Sequence, residues 1–325
     1  MTTEILRLEI TEHEARSIRG LLDEILADRR MRDQFFLLEQ SHVLAQDLPR
    51  RVRETFYRFR RQEAEAVLHV VGSPVLVDGV PPTPGGYLET EPGFELNDAQ
   101  VLHGLYGSLL GEAFGFTSQR NGSIYNTIVP LPGYASTPNS SSGSDHDFGF
   151  HVEDAFHPMR GDFIGLVCMR NAEQAPTTIS CVDGIDTLKP EERDILFEPL
   201  FDVGHNPIHR TSGLVAERRQ PVFYGLPDRP YLTINFASLD LRKFTGLQRS
   251  ALANLLAYLE YNRASVVLQS REYVYIDNYR CAHARDAFEP RYGDEARWLT
   301  RVVFTSDLRK SRTLRESTLA RAIAA

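Results

Sequence analysis

Between residues 11 and 64, apolar positions recur three and four apart. Ala15, Ile18, Leu21, Leu22, Ile25 and Leu26 form one such series, and Phe35, Phe36, Leu37, Val43 and Leu44 a second. That spacing gathers the apolar side chains on one stripe of a helix. A third run, RRVRETFYRFRRQEAEA, is basic and predicts a helix with a solvated face. The pattern changes at AVLHVVG, a short apolar run closed by Gly72, which predicts a buried strand. Helical spacing returns over 99–115, and IYNTIV (124–129) again reads as a strand. Beyond residue 148 short strands dominate: FGFHVE, FIGLVCMR, TTISCV, YLTINF, SVVLQ, YVYIDN and WLTRVVFT. A helix over 248–264 interrupts them, and a shorter one is expected near Pro190, where proline suits a first turn. Many short strands set off by turn residues predict a sandwich or barrel. The expected fold is α+β, mainly β: a double-stranded β-helix (jelly roll) with an N-terminal helical layer. We expect a single domain over 1–325, the helical layer over 1–64 and the jelly-roll core, with inserted helices, over 65–312.

Composition narrows the choice of partners. The 325 residues are 42% hydrophobic and 25% charged, ordinary for a globular chain and unlike a disordered one. Lys+Arg number 36 and Asp+Glu 44, a net charge of −8. Phosphates call for a basic stripe, so no nucleic-acid partner is expected. Cys168, Cys181 and Cys281 are far apart and show no CxxC spacing, so neither a disulfide scaffold nor a zinc ribbon is expected. Reduced thiols fit a cytoplasmic location. The opening MTTEILRLEITEHEA has no basic segment followed by an apolar one, and no apolar run approaches the ~18 residues of a membrane span, so no membrane partner is expected either. The stretch LPGYASTPNSSSGSDHD (131–147) is rich in Ser, Gly and Pro. A loop this long within a compact domain is usually functional, and we expect a mobile lid there.

Candidate chemistry centres on FGFHVEDAFHP (148–158). If this segment is a strand, His151 and Glu153 share a face, about 6–7 Å apart at Cα, and can grip two adjacent positions of one metal. His283 follows the strand YVYIDN and supplies a third ligand. Two histidines and one carboxylate form the facial triad of non-haem Fe(II), which leaves positions open for reactants. Arg297, at the start of WLTRVVF, suits a planar carboxylate held by two parallel bonds. The same three ligands on a jelly roll could instead hold zinc for hydrolysis or isomerisation, or the fold could be a non-catalytic binding module. His157 and His146 flank the motif without being expected as ligands. His103 and Trp298 read as core residues. Arg285 and Asp286 read as residues that fix the loop after His283, and the basic tail DLRKSRTLR as a solvated end.

HVEDAFHP, FIGLVCMRN and HARDAFEPRYGDEARWLTRVVFTSDLRKSR together resemble the clavaminate synthase-like branch of the Fe(II)/2-oxoglutarate oxygenases, and within it the amino-acid hydroxylases. The likeness is strongest over 148–312. It implies a cupin-like jelly roll, and Fe(II), 2-oxoglutarate and O2 as cofactor and co-substrates. The small-molecule partner it implies is a free L-amino acid, hydroxylated on C3 or C4 with release of succinate and CO2. It also implies roles for single residues. His151, Glu153 and His283 match the iron ligands, and Arg297 matches the clamp on the distal carboxylate of 2-oxoglutarate. Thr178, with Thr177 as the near alternative, falls where a hydroxyl joins that clamp. Arg301 falls where relatives bind the substrate α-carboxylate, and Asn126 and Glu153 where they receive the α-amine. Ser141 is a further candidate for the α-carboxylate. Arginine-acting relatives place two acids where this chain has Asn235 and Ala237. That substitution points away from arginine and towards lysine or another basic or polar side chain, with Asn235 as a substrate contact.

Overall fold

The computed structural model describes residues 3–75, 80–138, 140–203 and 219–324. The chain opens with β1 (Leu6–Glu9), then α1 (Glu12–Leu26), α2 (Gln34–Leu44) and α3 (Arg50–Gln62). Thr11 starts α1 with a capping box: its hydroxyl accepts from the Glu14 N–H, and the Glu14 carboxylate accepts from the Thr11 N–H. The basic α3 buries only Val52, Phe56 and Phe59, so its arginines do lie on a solvated face. Next come β2 (Val67–Val71), α4 (Asp98–Ser108), β3 (Glu112–Phe116), β4 (Asn126–Ile128), β5 (Phe148–His151), β6 (Phe163–Arg170) and β7 (Thr177–Cys181). The chain continues through α5 (Pro190–Leu196), β8 (Phe223–Leu226), β9 (Arg229–Leu232), α6 (Gly246–Tyr261) and β10 (Ala264–Val266). It ends with β11 (Tyr273–Asp277), β12 (Cys281–Arg285), β13 (Trp298–Thr305) and β14 (Ala322–Ile323).

Two sheets face one another. The larger has eight strands, in the order β1-β2-β11-β6-β13-β3-β14, with β4 also on β13. The smaller has four, β10-β7-β12-β5, and β8 and β9 make a separate hairpin. The chain passes from one sheet to the other between β6 and β7 and again between β11 and β12. Alternation along the strands then sorts the side chains. Leu166, Cys168, Val274, Ile276 and Leu299 of the large sheet meet Ile179, Cys181, Val266 and Cys281 of the small one in a core between the sheets. Tyr273, Tyr275, Val302 and Phe304 point the other way, into a core shared with α1 to α4. On the far side of the small sheet, Phe150 and Ala282 pack with Leu252, Leu255 and Leu259 of α6. α4 sits so close to β13 that a Cβ on Gly107 would fall 1.9 Å from the Phe304 ring. His103 is a core residue, its Nδ1 2.9 Å from the Tyr275 hydroxyl, and burial lowers its pKa to about 3.

Some elements differ from the sequence expectation. The helix expected over 99–115 stops at Ser108, and Glu112–Phe116 is a strand. Leu109, Leu110 and Gly111 carry the apolar run across the junction and hide it. The strand containing His151 ends at that residue. Val152 and Glu153 lead into a turn in which Asp154 has φ +51°. Residues 140–147, in the second half of the Ser/Gly/Pro-rich segment, are hydrogen-bonded to the rest of the fold. The Ser142 and Tyr87 hydroxyls are 2.8 Å apart, Arg285 donates to the carbonyls of Gly143 and His146, and the Phe288 N–H donates to the Ser144 carbonyl. No helix among the described residues is long and apolar enough to cross a membrane.

Candidate active site

His151 on β5 and His283 on β12 are paired in register across the small sheet. Their neighbours Phe150 and Ala282 face α6, so strand alternation turns both imidazoles into the space between the sheets. The two rings lie 4.2 Å apart between centroids, and Phe148 stacks on His151 at the same separation. Glu153 reaches this point from the turn after β5, not from the same strand face. Asn278, in the tight connection from β11 to β12, holds it there. Its side-chain oxygen accepts from the Glu153 N–H at 2.9 Å, and its amide nitrogen donates to the Glu153 and Gly161 carbonyls at 3.1 and 2.9 Å. Candidate ligand atoms of His151, Glu153 and His283 all lie within 4.8 Å of one another.

The electrostatics suit a divalent metal. A metal needs neutral imidazoles. Burial lowers the pKa of His151, and burial together with the positive charges of His151 and Arg301 lowers that of His283 well below the ordinary value. Nδ1 of His151 lies 2.9 Å from the Gly149 carbonyl, which fixes that nitrogen as the donor and leaves Nε2 as the ligand atom. Nδ1 of His283 is buried without a hydrogen-bond partner. Two imidazoles and a carboxylate in this arrangement fit Fe(II).

Two adjoining cavities border the triad. The smaller, about 60 Å³, is lined by Thr177, Leu166, Leu299 and His283 and by three arginines, Arg285, Arg297 and Arg301. Arg297 is buried, its Nε has no hydrogen-bond partner, and among the described residues no carboxylate lies within ion-pair distance of its guanidinium. Burial pushes its pKa down, and only Cys168 and Glu173 oppose that. A buried cation in this condition calls for an anionic ligand. The adjoining hydroxyl is that of Thr177, not Thr178. Thr178 pairs with Ala284 in the register with β12, so it faces away from His283, and its hydroxyl is 3.2 Å from that of Ser265.

The larger cavity, about 280 Å³, contains Asn126, Arg301, Ser141 and Gln119. Arg301 pairs with Glu153 at 2.7 Å and donates to the Gln119 side-chain oxygen at 3.1 Å. The Asn126 amide nitrogen donates to the carbonyls of Ser123 and Ile124, which leaves its oxygen to face the cavity. Ser141 and Arg301 border both cavities. Asn235 lines neither. It is bridged to His151 through the backbone, and its side-chain oxygen accepts from the Ser238 N–H. Gln119, Arg120, Asn278 and Phe148 were not expected from the sequence. All but Phe148 sit in polar connections, and the one available signal was their place beside a predicted strand.

With this geometry in view, the comparisons with known proteins are direct. The chain belongs to the TauD/TfdA dioxygenase family: the family pattern "Taurine catabolism dioxygenase TauD, TfdA family" matches residues 61–303. It is accordingly a 2-oxoglutarate-dependent dioxygenase, with Fe(II), 2-oxoglutarate and O2 as cofactor and co-substrates. Among its relatives are an enduracididine beta-hydroxylase of Streptomyces hygroscopicus, 29% identical over 98% of this chain and 100% of the relative, and an L-ornithine/L-arginine 3-hydroxylase of Catenulispora acidiphila, 27% identical over 95% and 97%. A crystal structure of the non-haem iron oxygenase OrfP with Fe and alpha-ketoglutaric acid superposes with a TM-score of 0.87 at 28% identity, covering 98% of this chain and 100% of that one.

Proposed function

We propose that this protein hydroxylates C3 or C4 of a free L-amino acid, converting 2-oxoglutarate to succinate and CO2 as it does so. The observation that carries the reading is the placement of two guanidinium groups beside one His-Glu-His cluster: Arg297 lines the smaller cavity only, while Arg301 lines both it and the larger one. The two strand-face neighbours give two separate anchors for carboxylates, as a reaction with two carboxylate-bearing reactants requires. We read the two facing sheets as the double-stranded β-helix of this family.

His151, Glu153 and His283 would hold the iron, which when bound supplies the activation of O2 that drives decarboxylation of 2-oxoglutarate and hydroxylation of the amino acid. Arg297, with the Thr177 hydroxyl beside it, holds the distal carboxylate of 2-oxoglutarate by a bidentate fork. Arg301 takes the substrate α-carboxylate, which releases the Glu153 oxygen it now pairs with, and that oxygen and the Asn126 side-chain oxygen accept from the α-amine. With both ends of the amino acid fixed, the carbon presented for reaction is set by geometry. Ser141 and the loop over 131–147 close the larger cavity and exclude water. The preference for lysine drawn from the sequence has no carboxylate to support it among the described lining residues other than Glu153.

The test is a panel of free L-amino acids incubated with Fe(II), ascorbate and 2-oxoglutarate, read by mass for a gain of one oxygen and by succinate released. One amino acid should yield succinate and product in equal amounts. A panel in which no amino acid stimulates succinate formation would sink the proposal.

A further inference from the structure

The wall of the larger cavity away from the triad carries information that the family reading does not use. We infer that the substrate side chain is neutral and ends in a carbonyl oxygen, as a carboxamide or ureido group does, and that Arg120 donates to that oxygen. The inference rests on the proposed amino-acid hydroxylase reading and specifies the substrate class for the same site.

The cavity has two charged ends. One is Glu153 with Arg301 at 2.7 Å. The other is Arg120, whose guanidinium lies over the Tyr87 ring. Its Nε is 3.5 Å from the Glu89 carboxylate. Glu89 is not in the lining. Its side chain has no exposure, and its Oε1 also accepts from the Thr127 N–H at 3.0 Å. Glu89 therefore balances Arg120 from behind and presents no anion to the cavity. Among the described residues, Glu153 at the triad end is the only carboxylate in the cavity lining.

Three kinds of side chain can be compared on this basis. Among the described residues an ammonium or guanidinium would find no free anion, and it would face the like charge of Arg120, which disfavours its charged form. A carboxylate would be drawn to Arg120, but that charge is already matched, so a surplus negative charge would be left in a partly desolvated wall. A neutral carbonyl needs only a donor. No hydrogen bond to the Nη atoms of Arg120 forms among the described residues, and the Thr137 and Ser140 hydroxyls in the same wall can accept from an amide N–H.

The backbone adds an independent observation. Arg120 has φ +46° and Asn121 has φ +56°. Two successive non-glycine residues in the left-handed region are costly, and such strain gathers at ligand sites, where the surrounding structure must over-determine it. Here the Tyr87 stack and the Glu89 pair do so, and they aim the guanidinium.

The experiment compares asparagine, glutamine and citrulline with lysine, ornithine and arginine, and with aspartate and glutamate. Coupled product formation is measured with the iron-loaded enzyme, and binding is measured by calorimetry without O2. The inference requires kcat/KM for one amide or ureido amino acid to exceed that of every basic and acidic one by at least about 10-fold. Arg120→Glu should then lower it by about 10-fold or more, seen in the amino-acid KM rather than in the 2-oxoglutarate KM. Should Arg120→Glu misfold, Arg120→Gln should show a smaller loss in the same direction. A basic or acidic amino acid as the best coupled substrate of the wild type would overturn the role of Arg120 and leave the hydroxylase reading standing. No coupled turnover with any amino acid would overturn both.

Discussion

The two cavities beside the triad are built on different terms. The one at Arg297 is small and mostly apolar, and of the three guanidinium groups on its wall only that of Arg297 lacks a hydrogen-bonded partner among the described residues. The larger one is several times the volume, and in it Arg301 is already engaged with Glu153 and the Gln119 side-chain oxygen. A tight site with one unmet need suits a ligand that does not vary. A roomy site with exchangeable partners suits one that does. The placement matches the chemistry, since every reaction of this kind consumes the same keto acid while the other reactant changes from relative to relative.

Four experiments would break or sharpen this contrast. The largest effect belongs to the metal cluster, which borders both cavities. His151→Ala, Glu153→Ala and His283→Ala should each remove iron and abolish turnover, and any one that kept stoichiometric iron by elemental analysis would place the metal elsewhere. Next, Arg297→Lys should raise the 2-oxoglutarate KM by about 10- to 150-fold while the amino-acid KM stays near its wild-type value, and Arg301→Ala should show the reverse split. Equal movement of both constants in either variant would mean that the two arginines do not serve separate reactants. A smaller effect separates adjacent threonines. Thr177→Val should raise the 2-oxoglutarate KM about 2- to 10-fold, and Thr178→Val should not, because its side chain faces Ser265.

The smallest effect lies outside both cavities. The hydrogen bond from Arg51 holds the Glu14 carboxyl at about 2, against its ordinary 4.5. The folded value is depressed, so this stabilisation is complete above pH 4.5 and is lost as the pH falls towards 2. Arg51 is half exposed, which limits the contribution to about 1–2 kcal/mol. Melting curves of Glu14→Gln should therefore lie below wild type at pH 6 and converge with it near pH 2. A constant gap across that range would show that the pair contributes no pH dependence.

The features legible in the sequence were those carried by periodicity or by a motif. β13 shows as WLTRVVFT because its alternation is unbroken and both faces are apolar enough to be seen. α3 shows despite its arginines because Val52, Phe56 and Phe59 keep helical spacing. β3 was missed because Ala113, Phe114 and Phe116 prolong the apolar run of α4, and β1 and β14 because four and two residues are too few to establish a period. In the site, the metal cluster could be read from HVE and HAR. The expected reason for the closeness of His151 and Glu153, a shared strand face, was replaced by a turn that Asn278 clamps. Asn278, Gln119 and Arg120 were invisible because polar residues in short connections follow no period, and their partners lie far along the chain.

β13 has one more consequence. Arg297 immediately precedes it and Arg301 lies within it, with Leu299 between them on the same inward face. At about 3.3 Å per residue the strand acts as a ruler, setting the Cα atoms of the two arginines roughly 13 Å apart. A one-residue insertion or deletion between them would rotate one guanidinium to the helix side of the sheet, while the other stayed in place. Homologous enzymes can therefore change the loops at either end of the ruler freely, but an odd change in the length of this one segment would leave a protein able to bind one reactant and unable to align it with the other.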